Sequence, residues 1–146
     1  MTKLLLPTSR SLPIVLLRAR ERLMGPIRGL LSDLGLTEQQ WRVLRVLDEG
    51  GPMEPTRISE QACLLLPSLT RILQKLEEKT LIRRQQDKSD RRRQIVQISP
   101  RGARLIADNM ERNQAVLDAV RDQMGAERYD LLLDLLNELD GLPVKS

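Results

Sequence analysis

PSLTRILQKLEEKTLIRRQQDKSDRRRQIVQISP, residues 67–100, changes its hydrophobic period half-way along. Up to Leu76 the apolar residues Leu69, Ile72, Leu73 and Leu76 recur at helical spacing, and Pro67 stands where a first helical residue needs no N–H. After Leu81 the pattern becomes that of strands. Ile82–Gln86 and Gln94–Ile98 are two short runs separated by Asp87–Arg93, a turn-rich charged segment. The stretch therefore predicts a helix ending near Lys79, followed by a β-hairpin with a long basic tip.

Upstream, a short helix from about Glu54 or Pro55 to Cys63 presents Ile58 and Ala62 inward, and Leu64–Leu66 connects it to the helix at Pro67. Two short helices joined by about three residues, the second opening with small polar groups, make a helix-turn-helix unit. Thr37-Glu38-Gln39-Gln40 is a capping box that opens another helix through Trp41, Leu44 and Leu47, closed by Gly50-Gly51-Pro52. Before it, Ile14, Leu17, Met24, Ile27, Leu31 and Leu34 mark a long amphipathic helix over roughly Leu12–Leu34, which Pro26 is expected to kink. Downstream, Ser99-Pro100 supplies an N-cap and first-turn proline. The helix that follows carries Ala103, Ile106, Met110, Leu117, Val120 and Met124 on one stripe and breaks at Gly125. Tyr129, Leu132, Leu133, Leu136 and Leu139 form a last helix that ends at Gly141 and Pro143.

The expected architecture is mainly α, in the α+β sense: four helices, a hairpin, then two helices, a winged helix-turn-helix. One domain spans 1–146, long enough for a single core. Within it 37–98 is the reading unit, and 11–34 and 103–140 are dimerisation helices. Their apolar stripes exceed what the central unit can cover, so a second copy in a two-fold homodimer is the simplest partner. A monomeric bundle is the alternative.

Hydrophobic residues are 40% and charged residues 30% of the 146, and no run approaches the ~20 apolar residues of a membrane span. Leu4–Leu6 is apolar but lacks the long core and cleavage site of a signal peptide, so a cytoplasmic location is expected. Cys63 is the single cysteine, and histidine is absent. Intramolecular disulfides, Cys/His zinc sites and imidazole catalysis are thereby excluded. The carboxylates lie at helical spacing among Lys and Arg, as on a solvated face. No enzyme, metal or cofactor is implied.

The net charge of +4 is unevenly placed. Arg71–Arg104 holds 11 Lys/Arg against 4 Asp/Glu, a net of +7, whereas Leu105–Ser146 holds 4 against 9, a net of −5. A basic block confined to one third of the chain suits a local anionic partner, most simply nucleic acid phosphate. With Trp41 and Tyr129 as the only aromatics, a single-strand reader that stacks bases is disfavoured, leaving double-stranded DNA.

In a helix-turn-helix the second helix enters the major groove, so Ser68, Thr70, Arg71, Gln74 and Lys75 form the reading surface. Arg71 can meet guanine O6 and N7 in bidentate fashion. At the hairpin tip Lys88, Arg91, Arg92 and Arg93 can reach a narrow minor groove, with Asp90 expected to orient Arg92 through a forked pair. The bland alternatives are a solvated helix face and a flexible solubilising loop.

The succession Leu-Thr-Glu-Gln-Gln-Trp-Arg at 36–42, Pro-Ser-Leu-Thr-Arg-Ile-Leu at 67–73, Leu-Glu-Glu-Lys-Thr-Leu-Ile at 76–82, Asp-Lys-Ser-Asp-Arg-Arg-Arg at 87–93 and Ile-Ser-Pro-Arg-Gly at 98–102 resembles the MarR family of bacterial regulators. The resemblance covers nearly the whole chain, and the wing pattern is its most specific part. Thr80 departs from it, standing where the family usually has glycine. The resemblance implies a winged-helix dimer on a palindromic operator, a repressor released by a small, often phenolic or aromatic carboxylate. Candidate effector ligands are Ser11, Arg18 and Arg20 on the first helix and Arg45 on the second, with Trp41 as the large ring of a cleft. Trp41 as plain core, and Arg18 and Arg20 as exposed residues or partners of Glu21, are the plainer alternatives. A thiol-based redox regulator working through Cys63 is a competing reading, although Ala62 and Leu64 beside it lead one to expect a buried thiol. A helical adaptor dimer that binds no DNA is the other.

Overall fold

The computed structural model describes residues 5–144. Six α-helices and one antiparallel hairpin follow in the order α1 Leu12–Asp33, α2 Glu38–Gly50, α3 Pro55–Ala62, α4 Leu66–Glu78, β1 Ile82–Gln86, β2 Gln94–Ile98, α5 Pro100–Met124 and α6 Ala126–Asp140. A 3-10 turn, Thr8–Arg10, precedes α1. This is the mainly α, winged helix-turn-helix architecture read from the sequence. Residues 1–4 and 145–146 of the expected single domain, Leu4 of the apolar N-terminal patch among them, lie outside the described residues.

Local bonds set the boundaries. Thr37 Oγ1 accepts from Gln40 N at 3.1 Å while Gln40 Oε1 accepts from Thr37 N at 3.2 Å, completing the capping box of α2. Ser99 Oγ accepts from Gly102 N at 3.0 Å and donates to the Thr80 carbonyl at 2.7 Å, so one hydroxyl both caps α5 and ties it to the end of α4. α4 begins at Leu66, one residue earlier than expected, because proline is as well accommodated in the second position of the first turn as in the first. Pro26 lies inside α1 without ending it.

The turn out of α4 is made by threonine. Thr80 N donates to Glu77 O at 2.9 Å and Leu81 N to Leu76 O at 3.0 Å, the paired bonds of a Schellman motif, with Thr80 at φ 61 in the left-handed region. Thr80 Oγ1 donates to Lys79 O at 2.6 Å and accepts from Arg101 Nη1 at 2.9 Å, which holds the residue there.

β1 and β2 pair from Ile82↔Ile98 to Gln86↔Gln94. Met53 adds to the outer side of β2, its N and O bonded to Val96 O and N at 3.0 and 2.9 Å. The core lies within this unit: Leu44 and Leu47 of α2, Ile58 of α3, Leu69, Leu73 and Leu76 of α4, Val96 of β2 and Ile106 of α5 are all buried. Gly102 is required where α5 crosses the strand entry, since a Cβ there would overlap Leu81 O and stand 2.8 Å from Ile98 Cγ1.

The outer helices are covered far less. Leu12, Ile14, Val15, Leu16 and Leu17 on α1 and Leu131, Leu132, Leu133 and Leu135 on α6 are exposed, and α6 contributes no buried residue. No described helix is long and apolar enough to cross a membrane.

Candidate DNA-binding surface and ligand cavity

Ser68, Thr70, Arg71, Gln74 and Lys75 are all exposed, on the face of α4 opposite the buried Leu69, Leu73 and Leu76. This placement follows from the helical period alone. Thr70 Oγ1 donates to Leu66 O at 3.0 Å, leaving its lone pairs outward, and Lys75 Nζ is 3.7 Å from Glu78. Ser68, Arg71 and Lys75 border a hollow shared with Thr37 and Gln39, so the start of α2 shares this surface.

The wing tip is a folded loop. Asp87 N donates to Arg93 O at 2.8 Å and Arg93 N to Asp90 O at 3.0 Å. Asp90 Oδ1 accepts from Arg92 N at 3.0 Å and from Arg92 Nε at 3.4 Å. Both bonds converge on one oxygen instead of forming the expected fork, because the two residues share a tight turn, and the Arg92 side chain stays 93% exposed. Arg93 turns back from the tip. Its guanidinium pairs with Glu54 and lies 3.9 Å from Asp87, and the Glu54 hydrogen bond holds its pKa above the ordinary value. Lys88 and Arg91 are exposed and make no ion pair among the described residues. The Asp87 carboxyl is held below its ordinary value by the Ser89 backbone N–H, and further by the Ser89 hydroxyl and the charge of Arg93.

A second feature lies between α1, α2 and α5: a cavity of about 300 Å³. Met24 and Leu31 of α1 and Met110 and Leu117 of α5 give it apolar walls. Of the residues selected from sequence, Arg20, Trp41 and Arg45 line it, whereas Ser11, at the N-terminus of α1, and Arg18, exposed further along, do not. Trp41 is 9% exposed, so it is core and lining at once.

The sequence reading missed Glu38, Arg42 and Asn113, which also line the cavity. For Asn113 a signal existed: it falls between Met110 and Leu117 on the apolar stripe of α5, a polar residue at a position that burial alone would fill with a hydrophobe. Glu38 joins the two parts of the molecule. Its carboxylate accepts from Arg20 at 2.6 Å and from Arg28 at 3.2 Å, and Arg28 also binds Glu21 at 2.7 Å. Burial pushes the Glu38 carboxyl up, but the two arginines outweigh it and hold its pKa below the ordinary 4.5.

Cys63 corrects an expectation. It is exposed, not buried. It ends α3 at φ 53, in the left-handed region, and that backbone turn takes its side chain off the apolar face that Ile58 and Ala62 follow into the core.

A family model described as the MarR family matches residues 36–93. The HTH-type transcriptional regulator FarR of Neisseria gonorrhoeae is 39% identical over 129 residues, 88% of this chain and 88% of that protein. The chain belongs to the MarR family. It is also similar to the homoprotocatechuate degradative operon repressor of Escherichia coli, at 34% identity over 90% of this chain and 89% of that one. The solved structure of NadR in complex with 4-hydroxyphenylacetate matches with a TM-score of 0.84 at 36% identity, covering 97% of this chain and 99% of that one. This MarR-family chain is thus a DNA-binding transcriptional regulator, and its relatives are regulators, not enzymes. MarR-type regulators bind operator DNA as dimers.

Proposed function

We propose that the protein is a homodimeric repressor of an operon for aromatic-compound breakdown, released from a palindromic operator by a small aromatic or phenolic carboxylate. The observation that carries this reading is the cavity between the outer helices and the reading unit, where Arg20 and Arg45 stand beside the Trp41 ring and a methionine and leucine wall. Its volume of about 300 Å³ lies at the small end of ligand sites, as a one-ring acid requires. The similarity to a homoprotocatechuate operon repressor and to NadR with 4-hydroxyphenylacetate supports the ligand class.

The exposed leucines of α1 and α6 pack against a second copy, which sets two α4 helices at the ~34–36 Å spacing of successive major grooves. Ser68, Thr70, Arg71, Gln74 and Lys75 read one groove. Lys88, Arg91 and Arg92 meet the neighbouring minor groove, with Asp90 orienting Arg92. Arg93, paired with Glu54, anchors the wing from below. A ligand wedged beside α1 and α2 acts by differential affinity for two dimer geometries, since only such a difference can shift the equilibrium. Such a regulator works in the cytoplasm, where the operator is.

A preformed complex with operator duplex, followed by fluorescence anisotropy, tests the proposal: phenolic or phenylacetic acids should release the DNA and raise the melting temperature of the free protein. A complex unmoved by every such acid rejects ligand release. The exposure of Cys63 favours a second reading, redox control, for which release by peroxide is the corresponding test.

A further inference from the structure

We infer that Leu65, at the N-terminal end of α4, reads thymine through its C5-methyl group and so adds an apolar determinant to operator recognition. The inference rests on the reading of α4 as the major-groove helix and adds the base that one residue selects. Between residues 18 and 130, Leu65 and Leu66 are the only exposed large hydrophobic side chains among the described residues, at 78% and 46%. All the others lie at 5–17 and 131–144, on or beside the two helices assigned to dimer contact. α4 packs chiefly on α2, α3 and β1, inside the reading unit.

No local rule favours leucine at this point. Leu65 is the N-cap residue of α4, with extended backbone at φ −72 and ψ 144 and no side-chain bond to the first turn. Ser, Thr, Asp or Asn would satisfy a free first-turn N–H there, and leucine is among the poorest residues for the position. Its side chain also stays in water, where it gains nothing from burial. A residue that helps neither the helix end nor the core is explained by something outside the protomer.

The surroundings identify that partner. Ser68, Thr70 and Arg71 are exposed on the turn that follows, and Arg71–Arg104 carries a net charge of +7. Duplex DNA meets both demands, with phosphates along the rim of the major groove and one apolar group among its base edges, the thymine methyl. A helix-turn-helix sets the N-terminal residues of its second helix against those edges, and Leu65 is the first of them.

The test titrates the full-length dimer with a duplex that it has selected from a random-sequence pool, and with copies in which each thymine in turn is replaced by uracil. This removes the methyl and leaves every hydrogen-bonding group. At one position in each half-site the change should weaken wild type about 4-fold for each methyl removed. Leu65→Ala should bind the thymine duplex more weakly by at least that factor and become indifferent to uracil at that position alone. Its slope of log K against log salt should stay at the wild-type value, because an apolar contact releases no counterions. Uracil without effect at every position in wild type overturns the inference, as does a uracil penalty that survives Leu65→Ala, the result of a merely structural role at the helix end. Both leave α4 as a groove reader. The wild-type scan needs no variant and decides the matter even if Leu65→Ala does not fold. A pool that yields no enriched duplex rejects sequence reading itself, and the methyl contact with it.

Discussion

Arg93, the last arginine of the wing tip, is bound to Glu54, the residue before α3, across 39 positions of sequence. Its charge is matched inside the protein, whereas Arg91 on the same loop is unpaired among the described residues. Arg91→Ala should therefore make the slope of log K against log salt shallower by about 0.9 for the phosphate contact it removes. Arg93→Ala should move that slope far less and instead speed amide exchange through residues 87–93. Equal changes of slope in the two variants would refute this division of roles.

The exposed leucines of α6 make a second expectation. Leu133→Glu places a charge on a face that has no core of its own to protect, so the protomer should keep its fold by circular dichroism. Sedimentation should show a shift toward single protomers, and operator affinity should fall with the loss of the second half-site. A dimer that survives the substitution would place the interface elsewhere.

Thr80 occupies a left-handed turn that costs a β-branched residue about 1–2 kcal/mol relative to glycine. Thr80→Gly removes two exposed hydrogen bonds but relieves that strain. A net gain of roughly 1 kcal/mol, or about 2–4 °C in melting temperature, is expected. A lower melting temperature would mean that the bond from Arg101 outweighs the backbone.

Gly102→Ala should act in the opposite sense. Its Cβ would meet the Leu81 carbonyl, which is backbone and cannot swing aside. A loss of about 1–3 kcal/mol in denaturant unfolding is expected, together with weaker DNA binding as the wing shifts. Unchanged stability would show that the helix slides to make room.

Acid should loosen the joint at Glu38. With its folded pKa held below 4.5, the carboxylate contributes stability that is fully present above pH 4.5 and is lost as pH falls through the lower folded value. Glu21, lowered by its hydrogen bond from Arg28, adds in the same direction. Melting temperature should fall on acidification below pH 4.5, and Glu38→Gln should flatten that fall. An unchanged acid limb in the variant would assign the loss to other carboxylates.

What could be read in the chain was whatever depends on neighbours three or four residues apart. The Thr37–Gln40 box, the Ser99 cap, the break at Gly125 and the change of period after Leu81 are all local, and each stands where the residues put it. The hidden parts depend on distance in sequence. Nothing around Arg93 announces Glu54, and nothing around Arg42 distinguishes it from the exposed arginines 18 and 22. Cys63 failed for a different reason, since its apolar neighbours reported the helix correctly while the last residue left the helical region. The cavity was half legible: Arg20, Trp41 and Arg45 converge, but Ser11 and Arg18 do not reach it within the protomer.

The bridge between Met53 and Val96 has a mechanical consequence. Glu54, next to Met53, is the N-cap residue of α3 and also holds Arg93, the residue before β2, so this strand is fastened to the first helix of the reading pair by main chain and by side chain. Tilting the ribbon relative to that helix would break both attachments at once. In the proposed complex two neighbouring grooves would therefore be gripped by one stiff piece, and any movement imposed from the α1 side would carry the whole gripping unit along.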